Sequence, residues 1–117
     1  MNWIQLNSVA QLEEIDQKSV EQAILLFKHS TRCAVSAAAL NRLERNWQEE
    51  EMKQMPTYFL DLIAHREISN KIVEKYGVEH QSPQLLVIRN GKSIYDTSHL
   101  SINYSNLKSL VLPSLLS

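Results

Sequence analysis

The chain has 117 residues, enough for one domain with a buried core and too few for two. Twelve Lys and Arg against thirteen Asp and Glu leave a formal charge of −1, and the basic residues are scattered, so nucleic acid is not an expected partner. A lone cysteine excludes an intramolecular disulfide. No apolar run nears the ~20 residues that span a bilayer, and Met1-Asn2-Trp3-Ile4-Gln5 has no signal-peptide character, so a cytoplasmic chain with no membrane partner is expected.

Trp3 to Leu6 reads as a short first strand. Ser8 followed by Gln11 resembles a capping box that opens a helix with Val9, Leu12 and Ile15 on its apolar face, ending near Lys18. Ala23 to Phe27 is apolar throughout rather than alternating, the pattern of a central strand covered on both faces. From Ala34 to Trp47, Leu40, Leu43 and Trp47 recur three and four apart, which predicts a second helix.

Gln48 to Lys53 is a charged run and reads as a loop; Pro56 separates it from a third strand at Tyr58-Phe59-Leu60. Met52 and Met55 in this region suit either gap-filling or a partner surface. Ile68, Ile72 and Tyr76 mark a third helix, with Gly77 placed to stop it in a left-handed conformation. Leu85 to Ile88 is a fourth strand, Asn90-Gly91 a two-residue hairpin turn, and Ser93 to Thr97 the returning strand. Tyr104, Leu107, Lys108 and Val111 predict a closing helix that ends before Pro113. The expected fold class is α/β, a single domain over residues 1–117 in the order β-α-β-α-β-α-β-β-α, with a central mixed sheet flanked by helices.

The chemistry gathers on Cys33, which falls between the apolar strand and the alanine-rich helix. At a helix start, unpaired N–H groups and the positive end of the dipole favour thiolate over thiol, and Arg32 adds a cation. The plain alternative is a small buried hydrophobe. Ser36 stands where a Cys-x-x-Cys motif carries its second sulfur, so the motif is monothiol. Its hydroxyl has two expected uses, donating to the thiolate or capping a backbone N–H. Thr31 and Arg32 are candidates for contact with a thiol substrate, Arg32 through a carboxylate. His29, His65, His80 and His99 show no metal-ligand spacing, so no metal site is expected, and none of the four enters the catalytic set.

The thiol segment Lys28 to Ser36, the later Lys75-Tyr76-Gly77-Val78, the Ser82-Pro83 pair and Asn90-Gly91-Lys92 together resemble thioredoxin-fold proteins, and among these the monothiol bacilliredoxins over nearly the whole chain. The resemblance implies a thiol-disulfide oxidoreductase that removes bacillithiol from client proteins through Cys33. Bacillithiol is then the thiol co-substrate, and no cofactor is tightly bound. It also implies a cis bond at Pro83, with Ser82 offering backbone groups to an extended substrate. One departure is Ala34, where family members commonly carry proline; the helix start loses a rigid residue and gains an N–H. Two other readings stand beside this one: a non-catalytic interaction module on the same fold, and a monothiol glutaredoxin-like protein using another small thiol. The Cys-Gly-Phe-Ser loop of the cluster-binding kind is absent from Cys33-Ala34-Val35-Ser36.

Overall fold

The computed structural model describes residues 1–52 and 55–116, with side chains described as far as Val111. Five strands, β1 (Trp3–Gln5), β2 (Ile24–His29), β3 (Thr57–Asp61), β4 (Gln84–Arg89) and β5 (Lys92–Ser98), form one sheet in the order β1-β3-β2-β4-β5. β1, β3 and β2 run parallel, while β4 lies antiparallel to β2 and β5 antiparallel to β4. The helices are α1 (Ala10–Lys18), α2 (Ala34–Asn46), α3 (Glu49–Met52), α4 (Arg66–Tyr76) and α5 (Tyr104–Leu116). This is the α/β mixed-sheet architecture the sequence predicts.

β2 shows why its apolar run does not alternate. Leu25 and Phe27 point into one core cluster with Ala39, Leu43, Trp47, Leu107 and Val111. Ile24 and Leu26 point the other way, into a second cluster with Leu12, Ile15, Ile68 and Ile72. A strand buried on both faces must be apolar at every position. The same parity sends His29 toward α2 and Lys28 toward α4.

Local signals act as expected where the backbone itself demands them. Gly77 caps α4 at φ 67°, its N–H donating to the Val73 carbonyl at 2.9 Å. Asn90 and Gly91, at φ 55° and 71°, make the hairpin turn. That turn is further tied to the end of α1: the Gly91 N–H donates to Ser19 Oγ at 2.8 Å and the Asn90 N–H to the Ser19 carbonyl at 2.8 Å.

Three expectations are corrected. The Gln48 to Lys53 run is not all loop: α3 forms within it because Met52 is an apolar anchor, 1% exposed, and Glu51 accepts from Tyr104 Oη at 2.7 Å and pairs with Lys108. Lys53 lies outside the described residues. Val9 is exposed rather than on the apolar face of α1, and of the capping box only Gln11 acts, its Oε1 accepting the N–H groups of Asn7 and Ser8. α5 does not end before Pro113 but runs on to Leu116. Proline forfeits one ladder bond yet holds φ at a helical value, and Tyr104, Leu107 and Val111 already seat the helix on the sheet. Beyond these corrections, a 3-10 turn at His99–Ser101 follows β5, where the sequence carries no expectation. Met52 and Met55 are both buried and fill the core. Among the described residues no helix is long and apolar enough to cross a membrane.

Candidate active site

β2 delivers the thiol loop to the end of the sheet, and α2 starts immediately after it. Cys33 is the N-cap residue of α2, with extended φ −119° and ψ 118°, and its side chain is half-buried. Its N–H donates to the Ser30 carbonyl at 3.3 Å, and its own carbonyl accepts from Ala37 at 3.1 Å. Thr31, Arg32 and Ala34 beside it are exposed.

Ser36 is fully buried one turn into α2. Of its two expected uses, it makes the cap: Ser36 Oγ accepts the Ser30 N–H at 3.0 Å and lies 2.7 Å from His29 Nδ1. With Oγ accepting from Ser30, its own proton is free to donate to His29 Nδ1. Burial lowers the His29 pKa against the opposing pull of Asp61 and Glu44, which favours the neutral ring this bond requires. The ring sits against Phe59, with centroids 5.4 Å apart. Thus β2, the thiol loop and the first turn of α2 are stitched by one chain of bonds, His29 to Ser36 to Ser30 to Cys33.

The antiparallel register pairs Lys28 with Gln84, so Pro83, which precedes Gln84, stands at the same end of the sheet as the thiol loop. The Ser82–Pro83 peptide is cis. Pro83 is buried, its carbonyl accepts the His99 N–H at 3.1 Å, and Ser82 Oγ is buried with no partner among the described residues. Arg42 of α2 donates through Nη2 to the carbonyls of Leu100 and Ile102, tying α2 to the 3-10 turn that follows β5.

Sequence reasoning gave no role to Lys28. Its side chain is completely buried, with Nζ 2.8 Å from His80 Nδ1 and donating to Gln84 Oε1 at 3.1 Å. Among the described residues no carboxylate forms an ion pair with it. The only sequence signal was a charge directly continuing the apolar run of β2. Burial lowers its pKa from 10.5 to about 8. A folded pKa below the unfolded one means that the unfolded chain binds more protons between the two values. The penalty is therefore complete below about pH 8 and is relieved as pH rises toward 10.5. Stability to urea is expected to rise by about 2 kcal/mol between about pH 7 and 9.5, below the range where Tyr76 and Tyr104, whose pKa values are raised by burial, begin to act in the opposite direction. Lys28→Met should flatten that rise. An equal rise in the variant would assign the effect to another group.

Among the described residues no cluster of His, Cys, Asp and Glu can hold a metal ion. What the site offers is one half-buried cysteine at a helix start, held by a neutral hydrogen-bonded frame and lying at the same end of the sheet as a cis-proline turn. Solved structures of similar fold share the architecture. One described as a candidate oxidoreductase with a thioredoxin fold is 29% identical, covering 91% of this chain and 90% of its own, with a TM-score of 0.74. The thioredoxins of Trypanosoma brucei brucei and Fasciola hepatica, each 17% identical, superpose with TM-scores of 0.70 and 0.68; the first match covers 98% of this chain and 91% of that one, the second 90% and 92%, and both speak to the fold alone. The model of the family described as monothiol bacilliredoxin BrxC matches residues 4–107, and the chain belongs to that family, a thiol oxidoreductase built on the thioredoxin fold.

Proposed function

We propose that the chain removes bacillithiol from protein mixed disulfides through Cys33, with bacillithiolated client proteins and a low-molecular-weight thiol as its partners in a bacterial cytoplasm. The observation that carries the reading is the placement of the one sulfur, half-buried at the N-cap of α2 with a serine at the resolving position. The Cys33 thiolate attacks the bacillithiol sulfur of the mixed disulfide. A Cys33–bacillithiol bond forms, the client S–S bond breaks, and the client thiolate leaves and takes a proton. A second small-thiol thiolate then attacks the adduct, leaving with the bacillithiol as a small disulfide and returning Cys33 as thiolate. Thr31 and Arg32, exposed beside the sulfur, and Ser82 and Pro83, at the same end of the sheet, flank the path of the substrate.

The test compares one client carrying bacillithiol with the same client carrying glutathione, each mixed with reduced protein and no other thiol. Release of the client thiol together with a bacillithiol adduct on Cys33 is the expected result. Transfer from glutathione alone would keep the oxidoreductase and remove the bacillithiol assignment, and transfer from neither would favour an interaction module.

A further inference from the structure

We propose that the chain holds a carboxylate of its small-thiol co-substrate in a donor-lined cavity formed by Arg66, Ser69, Asn70 and His80 over the buried Lys28; the inference rests on the thiol-transfer reading above. The cavity has a volume of about 50 Å³, and Leu62 completes its lining. A water occupies roughly 30 Å³ of liquid, so a carboxylate fits inside while the rest of a thiol conjugate must lie outside.

The cavity lies at the end of the sheet where β2 meets the thiol loop, on the α4 side. Its lining residue Leu62 donates its N–H to the His29 carbonyl at 3.0 Å, and Lys28, whose Nζ contacts its lining residue His80, pairs in register with Gln84 next to the cis-proline.

Arg66, Asn70 and His80 can donate into it, while the Ser69 hydroxyl lies 3.4 Å from His80 Nδ1 and is engaged there. An ammonium has no lone pair to offer, so in the 2.8 Å Lys28–His80 contact Nδ1 accepts and the imidazole proton sits on Nε2. Burial together with the charges of Lys28 and Arg66 lowers the His80 pKa, which keeps that ring neutral. Lys28 uses two of its three N–H donors, on His80 and Gln84, and no described residue takes the third. Arg66, whose five N–H groups suit a carboxylate, forms no ion pair among the described residues. None of Asp61, Glu67 and Glu79 forms an ion pair with Lys28 or Arg66: Asp61 Oδ1 accepts the N–H groups of Ile63 and Ala64, and Glu67 lies against His65. A buried ammonium without a counter-charge is costly to keep. An anion seated in the cavity, against the His80 ring that Lys28 touches, supplies a counter-charge at one remove. Clients differ in their surfaces, whereas the small thiol is common to all of them, so it is the ligand that a fixed cationic site fits.

The test uses the full chain and one client linked in turn to bacillithiol, which carries carboxylates, and to cysteamine, which carries none. Arg66→Ala is expected to lower the ratio of bacillithiol to cysteamine transfer rates by about tenfold, the scale of a lost charge-assisted bond, and Lys28→Met, whose charge acts through His80, to lower it in the same direction. An unchanged ratio in both variants overturns the site. A repeat with a client whose acidic residues near the disulfide are replaced by amides should give the same loss; disappearance of the loss would assign the carboxylate to the client and overturn the proposal. Transfer of neither thiol would remove the functional reading, and the site is then decided by binding alone. S-methylated bacillithiol should shift the His80 ring signals in the NMR spectrum of the Cys33→Ala chain, and the shift should vanish on adding Arg66→Ala. No shift overturns the site.

Discussion

Cys33→Ala is expected to transfer no thiol at all, while the wild-type chain, given a bacillithiolated client and no second thiol, should halt as a Cys33 mixed disulfide. Both outcomes follow from the count of sulfur nucleophiles. With one cysteine in 117 residues there is no internal thiolate to displace the adduct, and Ser36 cannot take that part, because a hydroxyl forms no disulfide and this one is buried and engaged by Ser30 and His29. Intact-mass measurement should show one bacillithiol per chain together with an equivalent of released client thiol, and addition of a small thiol should clear the adduct. Residual transfer by the alanine variant would move the chemistry away from Cys33. A wild-type protein that folds, remains reduced and never gains mass would mark the thiol as incidental.

Ser36→Ala is expected to cost about 3 kcal/mol of folding stability, a large share of what a domain of this size holds. The hydroxyl satisfies two groups in a buried setting, the Ser30 N–H at 3.0 Å and His29 Nδ1 at 2.7 Å. Each buried group left without a partner costs about 1–3 kcal/mol, and alanine supplies neither bond. Because Ser30 in turn accepts the Cys33 N–H, the same change should loosen the thiol loop, and transfer should slow as well. The stability loss is read from urea midpoints at matched slopes. A loss under about 0.5 kcal/mol, the range of a surface substitution, would show that the serine does not hold the frame.

The legible parts of this chain were those written in short-range chemistry. The unbroken apolar run at Ala23 to Phe27 marked a doubly covered strand, and it sits at the centre of the sheet between β3 and β4. Gly77 and Asn90-Gly91 announced left-handed backbone, and both adopt it. The step from that strand to the alanine-rich segment placed Cys33 at a helix start, where it is found. In each case the residue's own torsional freedom or the local period decides the outcome, so neighbours in sequence carry enough information.

Other features needed partners distant in the chain. Whether Glu49 to Met52 coils into α3 depends on Met52 entering the core and on Glu51 meeting Tyr104 and Lys108, and whether α5 continues through Pro113 depends on its first turns being seated on the sheet. His29 and Ser36 are seven positions apart and Lys28 and His80 fifty-two, and nothing in their local patterns pairs them. By itself the sequence determined the element order, the turn residues and the position of the single nucleophile, because torsional preference, hydrophobic period and residue chemistry act along the chain. Only the tertiary structure decided which polar groups frame that nucleophile and where an uncompensated buried charge lies, because hydrogen bonds and burial are set by which strands and helices meet in space.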